Sequence, residues 1–253
     1  MTVTWQMLLT VCPLTFLAGF VDSVAGGGGL ISLPAYYLAG LPPVLAAGTN
    51  KLSACLGTLA ASGRFIAGKK VDVWVAVLAA AGAFPGSWLG TALLQRIPEQ
   101  VIRVMMIAAL PLVALVVLRR GNQLGGHGLV PGKWMRPCSA LIGLAVGFYD
   151  GLVGPGTGTF LILLFTLLLG MEAVLASGTA KLVNLASNLA SLTALVIAGK
   201  VLPALGLPAA VCAIAGNLLG AGMTIKKGTG FIRIMLIAVL ALLLAKMLYD
   251  VVI

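Results

Sequence analysis

The sequence predicts an all-α protein that crosses a membrane many times. Of its 253 residues, 60% are hydrophobic and only 9% are charged, whereas a soluble domain carries about 25% charged residues. Glycine accounts for 33 residues, which suits closely packed and interrupted helices in a bilayer. These features exclude soluble enzymes, nucleic-acid binders and disulfide-stapled domains, and they make the lipid bilayer the expected surroundings of the chain.

The net charge of +10 comes from 16 basic and 6 acidic residues. In a soluble protein this excess would suggest nucleic acid as a partner. Here most basic residues lie in short connections between apolar runs, which is typical of a membrane protein that keeps its positive loops inside the cell. We therefore predict no nucleic-acid partner, although an anionic substrate would also suit the charge balance.

Residues for metal binding or covalent catalysis are scarce in this sequence. The only histidine, His127, lies in a glycine-rich loop, and the cysteines are isolated in or beside apolar runs. They are Cys12, Cys55, Cys138 and Cys212. Isolated cysteines in apolar runs behave as small buried hydrophobes. We predict no metal site, no cofactor and no enzymatic activity.

Apolar runs follow one another along both halves of the chain. They cover about 5–21, 30–46, 48–67, 71–95 and 100–118, and then 137–149, 159–170, 173–198, 201–224 and 230–252. A complete span needs about 20 residues. The last three runs of each half come close to that length, and the first two are short. We therefore expect three full spans plus a pair of short Gly/Pro-interrupted segments in each half, about 8–10 membrane segments in all.

The two halves of the chain resemble each other. Gly19-Phe-Val-Asp22 matches Gly147-Phe-Tyr-Asp150, and Gly48-Thr-Asn-Lys51 matches Gly178-Thr-Ala-Lys181. Glycines at a spacing of four also recur and predict helix-packing faces; they are Gly82, Gly86 and Gly90, then Gly216 and Gly220. We divide the chain into a first repeat (1–118), a basic glycine-rich linker (119–136) and a second repeat (137–253).

The loop charges favour an inverted arrangement of the repeats. Three spans plus a short pair give an odd number of crossings, and an odd repeat is inserted upside down relative to its partner. Nine basic residues then share one side, namely Lys69, Lys70, Arg119, Arg120, Lys133, Arg136, Lys226, Lys227 and Arg233, against Arg96, Arg103 and Lys200 on the other. If each short pair formed one broken span, the halves would be parallel and the division seven against five. The positive-inside rule favours inversion and a cytoplasmic linker.

The doubled motifs carry a resemblance to a known family. They are Asp22-Ser-Val-Ala-Gly-Gly-Gly-Gly29 with Gly48-Thr-Asn-Lys51, and Asp150-Gly-Leu-Val-Gly-Pro-Gly-Thr-Gly158 with Gly178-Thr-Ala-Lys181. Over nearly the whole chain this pattern resembles the TauE/SafE family of sulfite exporters. The resemblance implies a carrier in the bacterial inner membrane for small sulfur-containing anions such as sulfite, sulfonates or sulfoacetate. The halves are not identical, because Ala180 replaces Asn50, and Thr157-Gly158 replaces Gly29-Leu30.

The glycine-rich loops are predicted to interrupt helices. Each Gly costs about 1 kcal/mol against Ala in a helix, and the helix that follows starts with N–H groups that lipid cannot satisfy. An anion can bind such groups, and the helix dipole favours it. The candidate residues are Gly26, Gly27, Gly28 and Gly29 in the first half and Gly154, Gly156, Thr157, Gly158 and Thr159 in the second. The alternative is a structural kink whose N–H groups bond to neighbouring helices.

Four charged residues lie within or beside apolar segments. Lys51 and Lys181 are inside predicted helices, where a lysine costs about 2.5–3.5 kcal/mol, and Asp22 and Asp150 have apolar neighbours. We expect each aspartate to pair with one lysine. In a functional reading the lysines attract an anion, and the aspartates hold them or carry a coupling proton. In a structural reading the ion pairs fix the broken helices.

A polar stripe runs along one predicted helix of the second half. Ser177, Lys181, Asn184, Asn188 and Ser191 recur at spacings of four, three, four and three, which places them on one helix face. Such a stripe turns away from lipid. It either lines a permeation path or forms interhelical hydrogen bonds worth about 0.6 kcal/mol each.

These features together predict a secondary transporter for a small sulfur-containing oxyanion. Short interrupted segments at matching places in two halves point to a binding site at the membrane midplane. Asn50, beside the first lysine, is predicted to contribute to it together with the loops, lysines and asparagines above. The alternative is a carrier or channel for another small anion such as a carboxylate. The coupling ion (a proton or Na⁺), the transport direction and the oligomeric state are left open.

Overall fold

A computed structural model of the protein describes residues 3–98, 100–102, 104 and 128–252, with the side chains of 236 and 239–252 left out. Within these residues all regular secondary structure is helical. The helices are α1 (Trp5–Ala25), α2 (Gly29–Leu38), α3 (Pro43–Ala67), α4 (Val73–Leu94), α5 (Met135–Leu152), α6 (Thr157–Leu167), α7 (Ala173–Ile197) and α8 (Pro203–Val252), with a 3-10 turn at Gly132–Trp134. Helix α8 is kinked at Gly228, whose φ of 70° is not helical.

Four of the described helices are long and apolar enough to cross a membrane. They are Trp5–Ala25, Val73–Leu94, Ala173–Ile197 and the segment Pro203–Met235 of α8. Helices α2 and α6 are apolar but have only 10 and 11 residues, too few for a complete span. The predicted all-α architecture is confirmed for the described residues, and the four long apolar helices are consistent with the predicted membrane protein.

The prediction of two short segments at the start of each half is wrong for the first half. Helix α1 has 21 residues and continues past Asp22 to Ala25. The charge does not end the helix, because the Asp22 carboxylate is neutralised by the Lys181 ammonium at 2.5 Å. Helix α5 likewise continues past Asp150. The short pair of each half is therefore one longer helix followed by one short helix.

Two predicted boundaries fall at the edge of the described residues. Most of the fifth apolar run and the first half of the linker, together residues 105–127, lie outside them. The described end of the linker differs from the prediction, because α5 already begins at Met135. Its Arg136 guanidinium lies 6.0 Å from the centre of the Trp74 ring, which attaches this end of the linker to the start of α4.

The first helix of each half packs against the last described helix of the other half. At Gly82, Gly86 and Gly90 of α4, an added Cβ would lie 2.2–2.3 Å from a carbonyl oxygen of α5. At Gly216 and Gly220 of α8 it would lie 2.0 and 2.4 Å from a carbonyl oxygen of α1. No side chain fits at these distances, so the glycines set the spacing of both helix pairs. The predicted glycine packing faces are therefore confirmed.

The two Gly-Thr motifs make matching contacts between the halves. An added Cβ at Gly48 would lie 1.9 Å from the Lys200 carbonyl oxygen, and one at Gly178 would lie 1.9 Å from that of Lys70. The adjacent hydroxyls also match, since Thr49 accepts from the Leu202 N–H and Thr179 from the Asp72 N–H, each at 3.0 Å. Both Lys-bearing helices are thus held by the opposite half in their second turns. Each lysine lies two residues after the threonine and is buried.

Candidate functional site

Both glycine-rich loops interrupt their helices at glycines with left-handed backbone. Helix α1 ends at Gly26, whose φ is 75°, and the loop before α6 contains Gly154 and Gly156 with φ of 93° and 86°. Side chains disfavour this conformation, so glycine is required here. Each loop leads into a short helix whose first N–H groups have no acceptor within that helix. The predicted interruptions are confirmed at these positions.

The two loops touch each other across the halves. An added Cβ at Gly26 would lie 2.1 Å from the carbonyl carbon of Gly158. The Thr159 hydroxyl donates to the Ala25 carbonyl oxygen at 2.8 Å, and this bond joins the start of α6 to the end of α1. The starts of the two short helices are therefore close together inside the protein, buried from solvent.

A cavity of about 60 Å³ is lined by both loops. A water molecule needs roughly 10–15 Å³ on this measure, so the cavity has room for about four to six waters, or for one small oxyanion. Most of the predicted site residues line it, namely Asp22, Gly26, Gly28, Gly29, Asn50, Lys51, Asp150, Gly154, Gly156, Thr157, Gly158, Asn184 and Asn188. All eight labelled helices contribute lining residues, and both halves supply charged groups.

Three of the predicted residues do not line the cavity. Gly27 lies within the first loop and Thr159 bonds to Ala25 behind the second. Lys181 is 1% exposed and lies behind Asp22, to which its ammonium donates. Direct contact between Lys181 and a ligand in this cavity is therefore not supported, and its contact with the cavity runs through Asp22.

Lys51 lies at the centre of a hydrogen-bonded network. Its Nζ donates to Asp150 Oδ2 at 2.6 Å and to Asn188 Oδ1 at 2.9 Å. The Asp150 carboxylate also accepts from the Thr157 hydroxyl at 2.8 Å and from the Ser187 hydroxyl. An ammonium has three donors, and two of them are used here. Since Lys51 also lines the cavity, the remaining donor is available to an anion.

The second ion pair also joins the two halves, but its lysine belongs to the second half and its aspartate to the first. Lys181 of α7 donates to Asp22 of α1, whereas Lys51 of α3 donates to Asp150 of α5. Each lysine therefore pairs with the aspartate of the other half. The two pairs are expected from the sequence, but this exchange between halves is visible only in the fold.

The polar stripe of α7 divides into structural and cavity-lining positions. At its ends, the Ser177 hydroxyl donates to the Ser23 carbonyl oxygen at 3.4 Å, and the Ser191 hydroxyl bonds Ser87 and Thr91 at 2.7 and 2.8 Å. These ends join neighbouring helices. In the middle, Asn184 and Asn188 line the cavity. The predicted interhelical hydrogen bonds are thus present at the ends of the stripe, and a permeation path along its middle stays a prediction.

Asn50 carries an unpaired polar group at the cavity. Its side chain is 5% exposed, and its Oδ1 has no hydrogen-bond partner among the described residues. Leaving a buried polar atom unpaired costs about 1–3 kcal/mol. The matching position of the second half is Ala180, which has no such group. The cost at Asn50 is consistent with a side chain placed to contact a ligand.

Sequence reasoning missed four polar residues that line the cavity. They are Thr15, Ser32, Ser53 and Asn217. Asn217 accepts from the Ser23 hydroxyl at 2.7 Å and donates to the Ala213 carbonyl oxygen at 2.9 Å. An amide alone in the apolar run 201–224 was a usable signal. The hydroxyl residues gave none, because Ser and Thr also occur in membrane helices as interhelical donors.

Comparison with known proteins identifies the family of this chain. The family model named "Sulfite exporter TauE/SafE" matches residues 11–247. The chain belongs to the TauE/SafE sulfite exporter family. Its relatives include the probable membrane transporter protein YfcA of Escherichia coli K12, 36% identical over 98% of this chain and 94% of that protein. A probable membrane transporter protein of Haemophilus influenzae is 38% identical over 93% of this chain and 92% of that protein. No solved structure matches the chain.

A TauE/SafE protein with this cavity has the groups that a small anion needs. At the starts of α2 and α6, the N–H groups of Gly29 and Gly158 have no backbone acceptor among the described residues, whereas most of their neighbours bond to loop carbonyls. Lys51 supplies a positive charge, and Asn184 and Asn188 supply amides. The charges at the cavity are balanced, because two lysines face two aspartates. The site is therefore polar and close to neutral inside an apolar protein.

Proposed function

We propose that this protein is a secondary transporter for a small sulfur-containing oxyanion, such as sulfite, a sulfonate or a sulfoacetate-like anion. The observation that carries the proposal is the cavity between the two glycine-rich loops, with Lys51 on its wall. Membership of the sulfite exporter family supports the sulfur oxyanion as cargo. The size of the cavity supports a compact anion over a large organic one.

The proposed binding mode uses the loops and Lys51 together. The anion's oxygens accept from the N–H groups of Gly29 and Gly158, at the starts of α2 and α6, and from the Lys51 ammonium. Asn50, Asn184 and Asn188 supply further polar contacts from the cavity wall. The Thr157 hydroxyl is engaged with Asp150 and Gly154, so in this proposal it shapes the loop. Asp22 and Asp150 hold the lysines, and a coupling proton or Na⁺ would bind at a carboxylate.

The proposed topology is a pair of inverted repeats in the bacterial inner membrane, with the 119–136 linker in the cytoplasm. The order of helices supports the repeat, because each half has a longer helix, a short helix and two long helices in turn. Inverted repeats place the substrate site near the midplane and let one bundle rock against the other. The cavity between the halves is where such a site is expected.

Anion-dependent thermal stabilisation of the detergent-purified protein tests the proposed site. Sulfite and a sulfonate should raise the melting temperature and chloride should not, because a ligand at a hundred times its Kd stabilises by about 2.7 kcal/mol. We expect Lys51→Ala to abolish the shift. Lys226→Ala is the control, since Lys226 is exposed and does not line the cavity.

The same panel separates the proposed cargo from its alternative. A shift with carboxylates alone would keep the site and contradict the sulfur oxyanion. A shift that persists in Lys51→Ala would contradict the site. Flux of the stabilising anion into liposomes then separates a carrier from a channel, because a carrier shows saturable counterflow and a channel does not.

A further inference from the structure

The two buried carboxylates have unequal surroundings. Asp150 accepts through Oδ2 from Lys51 and Ser187, and its Oδ1 lies 2.8 Å from the Thr157 hydroxyl, which shares its single proton with the Gly154 carbonyl oxygen at 2.6 Å. Asp22 accepts from Lys181 through Oδ2, and this is its only side-chain hydrogen bond in the described part of the chain. Both oxygens of Asp150 therefore contact hydrogen-bond donors of the protein, whereas Oδ1 of Asp22 has no hydrogen-bond partner in the described part of the chain and is available to a proton.

The sequence explains this inequality at matched positions. Thr157 of the second half corresponds to Gly29 of the first, and Ser187 corresponds to Gly57. Glycine has no side chain, so neither hydroxyl donor exists beside Asp22. Asp22 is also the more open of the two, because its side chain is 16% exposed against 4% for Asp150, and it lines the cavity.

The charge balance at the cavity indicates what the more exposed Asp22 does when an anion binds. Two lysines and two aspartates sum to zero, so a bound monoanion alone would leave one uncompensated negative charge in a buried site. An isolated buried charge is costly, and a titratable group then takes up a proton. Protonating Asp22 restores neutrality, and the bound anion then provides the counter-charge that Lys181 loses.

Resting on the proposed function, we infer that Asp22 carries one proton with each monoanion and that Asp150 carries none. One proton adds to the Asp22 carboxylate when the anion binds and leaves it when the anion is released. The charged groups that face Asp22 are Lys181 from α7, Lys51 from α3 and Asp150 from α5; the lining residues of α2, α6 and α8 are uncharged. Transport by the native protein is then electroneutral.

Liposomes containing the purified protein test this inference with separate pH and voltage gradients. The anion is the sulfur oxyanion that the native protein exchanges most rapidly. A gradient of one pH unit should drive up to tenfold accumulation in the native protein, and a K⁺ diffusion potential should drive none. In Asp22→Asn the driving force should change from the pH gradient to the membrane potential. A potential of about 59 mV should then give up to tenfold accumulation, and the pH gradient should give none.

Asp22→Asn is a suitable variant because its amide oxygen can still accept from Lys181. Circular dichroism and size-exclusion chromatography in detergent show whether this variant is folded, because it leaves the buried Lys181 without a counter-charge. Its responses to pH and voltage are then compared at its own rate of exchange. The matched change Asp150→Asn removes the carboxylate that holds Lys51, and we expect it to reduce exchange at least tenfold without creating a voltage dependence.

Several results would overturn the inference. Asp22→Asn that remains driven by the pH gradient would show that the proton moves elsewhere, including on the anion itself. Voltage-driven accumulation by Asp150→Asn would show that Asp150, and not Asp22, carries the proton. If Asp22→Asn does not fold, voltage-driven accumulation by the native protein alone contradicts electroneutral transport. Absence of any exchange by the native protein would instead contradict the proposed function.

Discussion

At the scale of single residues, four charges connect the two halves in the protein interior. Lys181 is 1% exposed, and an unpaired lysine at this depth would be costly. Its pairing with Asp22 of the other half removes this cost only while both partners are present. A buried ion pair adds little stability over an apolar pair, but removal of one partner costs about 3–5 kcal/mol. The pairs therefore lock the arrangement of the halves.

We expect the Lys181→Met variant to be destabilised by about 3–5 kcal/mol, because it leaves the Asp22 carboxylate without its partner. Adding Asp22→Leu should recover most of this loss, since the double variant contains no unpaired charge. Denaturation of the purified proteins, followed by circular dichroism, measures both effects. Lys226→Met is the control for loss of an exposed lysine. Equal stability of the single and double variants would show that the pair is not coupled energetically.

At the scale of helices, glycines decide how closely the two halves approach. The face formed by Gly82, Gly86 and Gly90 lies directly on carbonyl oxygens of α5. Helix α3 offers a contrast, because Gly63 is exposed and an added Cβ there would meet nothing within 4 Å. The same residue type thus has a packing role in one helix and none in the other.

Substitution of Gly86 and of Gly63 by alanine should have opposite effects on the stability of the protein. In Gly86→Ala the new Cβ would lie 2.3 Å from the Leu144 carbonyl oxygen, and overpacking of this kind costs about 1–3 kcal/mol. In Gly63→Ala the helix gains up to about 1 kcal/mol from the better propensity of alanine. Thermal unfolding in detergent measures both. A neutral Gly86→Ala variant would show that α4 and α5 can move apart freely.

At the scale of the whole molecule, the helices and buried lysines of each half pack and bond with the other half. The α1 helix packs on α8 and α5 on α4, and each buried lysine bonds to the aspartate of the other half. The turn before α8 packs on α3, and the turn before α4 packs on α7. Such matching contacts are what a twofold relation between two similar halves would form, and the inverted orientation of the halves stays a prediction.

Single cysteines introduced at exposed lysines test the inverted topology. The native cysteines are first replaced, and Lys69, Lys200 or Lys226 is changed to Cys in turn. With inverted repeats, Lys69→Cys and Lys226→Cys should react with a membrane-impermeant maleimide only after the inner face is opened. Lys200→Cys should react in intact spheroplasts. Labelling of positions 69 and 200 from the same face would instead indicate parallel repeats.

The sequence was sufficient to predict most of the candidate site because charges and glycines are unusual in apolar segments. Lys51 and Asp150 had to find opposite charges, and Gly26 could not continue a helix. The sequence could not show that each lysine bonds to the other half, because that depends on how the halves meet. Nor could it separate Thr157, which faces Asp150, from Thr159, which bonds to Ala25, since both follow the same loop.

The contact between Gly26 and Gly158 also limits how the duplicated halves can diverge. An added methyl group at Gly26 would lie 2.1 Å from Gly158, and one at Gly158 would lie 2.5 Å from Gly26, in each case against backbone. A larger residue in one copy therefore cannot be compensated by a smaller one in the other, because both are already glycine. We expect homologous proteins to keep glycine at both places, while neighbouring positions such as Gly29 and Thr157 are free to evolve separate roles.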